Sequence, residues 1–133
     1  MNQQSFSSTP SPPRRCILLV DDDVRVRQAL KRSIAGRGFY VLEADSGCAA
    51  LSVAQVIELA AVVLDLWLPD INGAALLPQL LRAQPAARVI VFSGSLNDNL
   101  AAELLAAGAT CCAPKPWARQ VLAAIDEQLV PAA

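Results

Sequence analysis

Three consecutive aspartates, Asp21, Asp22 and Asp23, end one short apolar run, and Asp65 ends another. A third run passes into Ser93-Gly94 and a fourth into Lys115-Pro116. If these residues meet, their types carry a definite chemistry. Clustered carboxylates repel one another and need a cation nearby. Oxygen ligands from one or two carboxylates, completed by water and a phosphate, suit Mg²⁺. Three carboxylates, a divalent ion and one lysine balance formally to zero. A centre so balanced can receive a phosphoryl group, whose transition-state charge lies on its equatorial oxygens. The ion and Lys115 would stabilise two of those oxygens, and the Ser93 hydroxyl with nearby backbone N–H groups the third. Gly94 leaves room beside it.

Each residue also has a plainer use. Any aspartate of the triplet can cap a helix. Asp65 and Ser93 can be ordinary turn residues, and Lys115 a solvated surface lysine. What favours chemistry is their joint placement, which depends on the elements that carry them.

The chain alternates regularly. The apolar run Cys16–Val20 reads as a buried strand, and Val26, Leu30 and Ile34 recur every four residues in a helix over Val24–Ala35, stopped by Gly36 and Gly38. A second strand is expected over 39–44, followed by a helix that Ser46 caps and that runs to about Gln55. Ala61–Leu64 is the third strand, and Pro-Asp-Ile-Asn-Gly at 69–73 is turn chemistry. The helix after it should reach about Ala83, with Pro78 either delaying its start or bending it. A fourth strand is expected over 88–92, and Leu96, Leu100 and Leu104 mark a fourth helix that Gly108 ends. A fifth strand over 110–113 precedes a last helix with the stripe Trp117, Val121, Ile125 and Leu129. Five strands alternating with five helices predict an α/β fold, a parallel sheet covered on both faces by right-handed crossovers. Sites in such sheets lie beyond the carboxyl ends of the strands. Every candidate residue falls at that edge.

Composition sets bounds. The 133 residues fit one domain, and 54 % hydrophobic against 17 % charged residues argues for a packed core. A net charge of −1 gives no footprint for nucleic acid or an anionic membrane. No apolar run approaches the roughly 20 residues of a membrane span, and the polar start Met-Asn-Gln-Gln-Ser-Phe-Ser-Ser-Thr-Pro is not expected to act as a secretory signal, which would need an apolar core there. Residues 1–14, rich in Ser, Pro and Gln, read as a flexible tail. Cys16, Cys48, Cys111 and Cys112 match no metal template, and there is no histidine to complete one. Cys111 and Cys112 could form a vicinal disulfide, but small hydrophobes in a buried strand are favoured, and a reduced cytoplasmic setting is expected.

Four stretches then carry a resemblance. Ile-Leu-Leu-Val-Asp-Asp-Asp at 17–23, Leu-Asp-Leu-Trp-Leu-Pro-Asp-Ile-Asn-Gly at 64–73, Val-Ile-Val-Phe-Ser-Gly at 89–94 and Lys-Pro at 115–116 resemble the bacterial response regulator receiver domain over about residues 15–130. The resemblance implies a flavodoxin-like, doubly wound sheet in strand order 2-1-3-4-5. It implies that Asp21 and Asp22 bind the metal and that Asp65 takes a phosphoryl group from a phosphohistidine. It further implies that Ser93 turns inward on phosphorylation, that Lys115 pairs with a phosphoryl oxygen, and that the Trp67 backbone carbonyl is a further metal ligand. The implied cofactor is Mg²⁺, and the implied partner a sensor histidine kinase or phosphotransfer protein. Such a chain is no enzyme beyond catalysing its own phosphoryl transfer and dephosphorylation. Lacking histidine, it cannot itself be the phosphohistidine donor.

Two positions depart from the family pattern. Cys112 stands where receivers usually carry a switching aromatic, and Trp67 places a bulky indole two residues after the acceptor, where it is expected to hinder attacking water. Other readings fit less well. A nucleotide or flavin binder would want a glycine-rich cradle after the first strand, and an aspartyl phosphatase a second acid at position 67. A scaffold that is never phosphorylated would be expected to lose a site residue. With only Pro-Ala-Ala after the last helix, the chain is expected to be a stand-alone regulator or an excised piece, without its own DNA-binding part. The fourth and fifth helices, around Leu100, Leu104 and Val121, could form a homodimer or target surface, although core packing accounts for most of these side chains.

Overall fold

The computed structural model describes residues 15–131, so the expected tail at 1–14 lies outside the described residues. The element order is β1 (Cys16–Val20), α1 (Val24–Ala35), β2 (Tyr40–Ala44), α2 (Gly47–Ala54), β3 (Ala61–Leu64), α3 (Gly73–Ala83), β4 (Arg88–Ser93), α4 (Asp98–Ala106), β5 (Cys111–Pro114) and α5 (Ala118–Leu129). All strand pairings are parallel, in the order β2-β1-β3-β4-β5, so β1 and β3 are neighbours. That is the doubly wound, flavodoxin-like order implied by the resemblance.

Alternation along the buried strands builds two cores, one on each face. Ile17, Leu19, Val63, Ile90 and Phe92 meet Leu30 and Ile34 of α1 and Val121, Ile125 and Leu129 of α5. Leu18, Val20, Val62, Leu64, Val89 and Val91 meet α2, α3 and α4 through Ala50, Ala54, Leu76, Leu77, Leu80 and Leu104. Burying such an aliphatic side chain contributes roughly 1.5–3 kcal/mol. Both layers are thereby held to the sheet, and the strand ends with them.

Several boundaries move for local reasons. The fourth helix starts at Asp98, not Leu96, because Asn97 is extended and its side chain accepts the Leu100 N–H at 2.8 Å. Trp117 does not join the stripe of α5. It occupies the position before the helix in a non-helical conformation and is 54 % exposed. α3 is not delayed by Pro78, which lies inside it, because Asn72 caps the helix from Gly73. The second strand begins at Tyr40, with Phe39 in the core beside it, and the fifth begins at Cys111. Thr110 instead closes the start of that pairing, donating its N–H to Val89 O and accepting the Val89 N–H on Oγ1.

Leu104 and Val121 prove to be buried in opposite cores, so the face proposed around Leu100, Leu104 and Val121 is not one surface. Cys111 packs on the α1/α5 core and Cys112 on the other, and both are free. A strand turns successive side chains to opposite faces, which argues against a vicinal disulfide. Among the described residues no helix is long and apolar enough to cross a membrane.

Candidate functional site

Parallel pairing in register decides what meets at the carboxyl edge. Val20 lies beside Leu64, so the next residues of the two strands, Asp21 and Asp65, emerge together. The Asp65 N–H donates to Val20 O, and the Asp21 N–H to Ala44 O, which extends the sheet's bonding one step into the site. Carboxylate oxygens of Asp21, Asp22 and Asp65 lie within 4.8 Å of one another. Asp21 and Asp65 are buried, each 5 % exposed, and Asp22 is exposed. This donor set fits a hard divalent cation: oxygen ligands only, close enough to share one ion.

The aspartate triplet divides its work. Asp23 is the N-cap of α1, accepting the Arg25 N–H at 2.9 Å. Its own N–H donates to Asp21 Oδ1 at 2.9 Å. The plain reading of the triplet therefore holds for Asp23, and the chemical one fits Asp21 and Asp22.

Lys115 arrives from the end of β5, across β4. Its Nζ is 2.8 Å from Asp21 Oδ2 and 3.6 Å from Asp65 Oδ2. Burial alone would lower its pKa, but the hydrogen bond to Asp21 and the charges of both acids hold it above the ordinary lysine value. Asp65 moves the other way for a carboxylate. Burial first, and then Asp21, raise its pKa, against the pull of Lys115 and of the Leu66 and Trp67 N–H groups. Asp65 Oδ1 accepts the Leu66 N–H at 2.9 Å, which leaves Oδ2 on the lysine side. The peptide bond from Lys115 to Pro116 is cis.

Ser93 is the last residue of β4 and wholly buried. Its Oγ accepts the Ser95 N–H at 3.3 Å, and its carbonyl accepts the Lys115 N–H at 2.9 Å. Trp67 stands on the β3–α3 loop, 59 % exposed and in an isolated antiparallel bridge with Asn72.

Sequence reasoning missed three supporting groups. Arg27 donates to Asp21 O and, through Nε, to Glu43 at 2.9 Å, so α1 grips the peptide that carries the first acid. Gly73 lies so close under β3 that a Cβ there would stand 2.4 Å from Asp65 O and 2.8 Å from Leu66 Cα. Asp70 bonds to the start of α2. Gly73 had a signal, as a glycine following a helix cap. The other two act across 6 to 23 residues of chain, and local patterns carry no trace of that.

Comparison with known proteins agrees with this geometry. The model of the response regulator receiver domain family matches residues 17–126. The sensor kinase CckA of Brucella abortus is 33 % identical over 116 residues, 86 % of this chain but 12 % of that protein. The transcriptional regulatory protein KdpE of Mycobacterium tuberculosis is 35 % identical over 101 residues, 76 % of this chain and 44 % of that protein. The chain thus spans less than half the length of these relatives. Among solved structures, a CheY-like receiver domain protein from Methanospirillum hungatei superposes with a TM-score of 0.82 at 27 % identity, covering 88 % of this chain and 94 % of that one. A Burkholderia pseudomallei response regulator, solved with a phosphorylated aspartic acid, a calcium ion and citrate, gives 0.78 at 29 % identity over 83 % of this chain and 65 % of that one. With its sheet order, its cluster of acids and its sequence all in agreement, this chain belongs to the response regulator receiver domain family, the receiver module of two-component systems.

Proposed function

We propose that the chain accepts a phosphoryl group on Asp65 from a phosphohistidine of a sensor histidine kinase or phosphotransfer protein. The observation that carries this reading is the convergence of three carboxylates with one lysine at a single sheet edge. Mg²⁺ would be held by Asp21, Asp22, Asp65 and the Trp67 backbone carbonyl, where it would neutralise the acids and the oxygens of the incoming group.

The chain's own residues do the rest. The Leu66 N–H fixes Asp65 Oδ1, so the carboxylate presents Oδ2 as the attacking oxygen. Lys115, already between Asp21 and Asp65, needs only a short movement to pair with a phosphoryl oxygen. The Ser93 hydroxyl, whose oxygen accepts the Ser95 N–H, can donate its own proton to another phosphoryl oxygen, drawing the β4–α4 loop inward. Phosphorylation adds roughly one net negative charge. It acts by biasing a two-state element, here that loop and α4, toward a form that a partner or an output domain reads. The chain thus serves as a cytoplasmic signalling switch that catalyses only its own phosphorylation and dephosphorylation.

The test is incubation with acetyl phosphate and Mg²⁺, read by intact mass, for the parent and Asp65→Asn. The parent is expected to gain one phosphoryl group and the variant none. Equal labelling of both overturns the assignment of Asp65.

A further inference from the structure

Asp70 plays no part in the chemistry above, yet its carboxylate has a specific double engagement. Oδ1 accepts the Gly47 N–H at 2.8 Å and Oδ2 the Cys48 N–H at 2.9 Å. These are the first two residues of α2, whose N–H groups have no partner within the helix. Ser46, the N-cap, satisfies the third by accepting the Ala49 N–H at 3.1 Å. α2 has no acid in its own first turn, so the negative charge favoured at a helix start comes from a residue 23 positions away. Those two bonds hold Asp70 below the ordinary aspartate pKa, against a small opposing effect of burial.

The segment that Asp70 belongs to is the one leaving Asp65. Its base is closed where the Gly73 N–H donates to Leu66 O at 2.8 Å and where Trp67 bridges Asn72. Its tip, Pro69 to Ile71, is anchored to α2 by Asp70 and by a contact that only a glycine permits. A Cβ on Gly47 would lie 2.2 Å from Ile71 Cγ2. Leu66 and Trp67 belong to that base, and the Leu66 N–H donates to Asp65 Oδ1 at 2.9 Å.

From this continuity we infer that Asp70 is a positioning residue, which by clamping the β3–α3 loop to the start of α2 holds the Leu66–Trp67 peptides in register with Asp65 and so sets the site's readiness for its metal ion. The inference rests on the reading of Asp65 as a metal-assisted acceptor. It adds a role for α2: the helix serves as the fixed post for the loop. Loss of the clamp loosens a loop rather than removing a ligand, and comparable supporting contacts of metal ligands cost about tenfold in affinity.

The experiment compares Asp70→Ala and Asp70→Asn with Ser46→Ala, which removes a bond from the same helix start without touching the loop. All are made in a Trp117→Phe background, so that fluorescence reports Trp67. Asp70→Ala is expected to shift the Mg²⁺ midpoint up about tenfold, with Asp70→Asn intermediate because one acceptor oxygen remains. Ser46→Ala should lower the melting temperature yet keep the parent's midpoint. In metal-free protein, amide exchange at Leu66 and Trp67 should be faster in Asp70→Ala and unchanged in Ser46→Ala. Parent-like exchange and midpoint in Asp70→Ala, or an equal loss in Ser46→Ala, overturns the clamp. Should Asp70→Ala fail to fold, Asp70→Asn against Ser46→Ala decides on the same readouts. A parent that binds no Mg²⁺ and takes no label overturns the functional reading instead, while metal-free exchange still judges the clamp by itself.

Discussion

Two loops flank Asp65, and they are held very differently. The β3–α3 loop is tied at its base by Gly73 on Leu66, at its tip by Asp70 on Gly47 and Cys48, and by the fit of Ile71 over Gly47. The β4–α4 loop has the weaker Ser95-to-Ser93 bond, at 3.3 Å, before Asn97 begins the next helix, and Gly94 and Ser95 are exposed. A Cβ on Gly94 would meet nothing within 4 Å. The difference teaches a division of labour. The side that orients Asp65 is over-determined, whereas the side that carries Ser93 onward to α4 has space and few restraints. Segments that must move belong to the less stable end of a structure.

The largest test of that contrast pairs two glycines. Gly73→Ala must push a methyl group against the Asp65 and Leu66 backbone and should cost about 2–3 kcal/mol or more in urea denaturation. Gly94→Ala should leave stability within about 1 kcal/mol of the parent, because the space is open and its φ is not in the left-handed region. Equal losses would erase the distinction between the loops.

A step smaller is Lys115→Ala. It leaves Asp21 and Asp65 facing each other without their shared ammonium, which should cost about 1–3 kcal/mol in metal-free thermal melts. Added Mg²⁺ should recover part of that loss, since a cation at the acids replaces the missing charge. Asn97→Ala removes the cap of α4 and should cost about 1 kcal/mol. If the β4–α4 loop is the adaptable side, that variant should also speed amide exchange at Ser95 while leaving Leu66 untouched.

The smallest expected effect concerns pH at Glu43, the residue through which Arg27 is braced. Burial raises its pKa, but the bonds from Arg27 and Lys31 outweigh that and lower it overall. A carboxylate depressed in the folded state contributes stability above its unfolded pKa and loses it as pH falls through the folded value. The loss should begin near pH 4.3, the ordinary glutamate value, and continue below it. Glu43→Gln should flatten that limb of the stability profile slightly, an effect read from melts at a series of pH values.

Much of this molecule was legible from the chain alone. Apolar runs ending in acids, a serine or a lysine marked β1, β3, β4 and β5 and their carboxyl ends, because a strand inside the sheet stays largely apolar until it leaves it, whereas β2, with Glu43 within it, carried no such mark. That rule puts Asp21, Asp22, Asp65, Ser93 and Lys115 at one edge of the sheet. Helix starts were less legible. Leu96 and Trp117 continue an i, i+4 pattern, yet the backbone at Asn97 and at Trp117 is not helical, so the periodicity overran the true starts.

What only the tertiary structure decided is which neighbours each residue has across the sheet. Asp23 caps α1 while Asp21 turns to Lys115, although the two are only two positions apart and chemically identical. Leu104 and Val121 look alike in sequence and lie on opposite faces of the sheet. Asp70 reads as one acid of a turn and proves to complete a helix start 23 residues away. Sequence periodicity reports which face of its own element a residue occupies; strand order and register, set by the packing of the whole chain, determine what lies opposite that face.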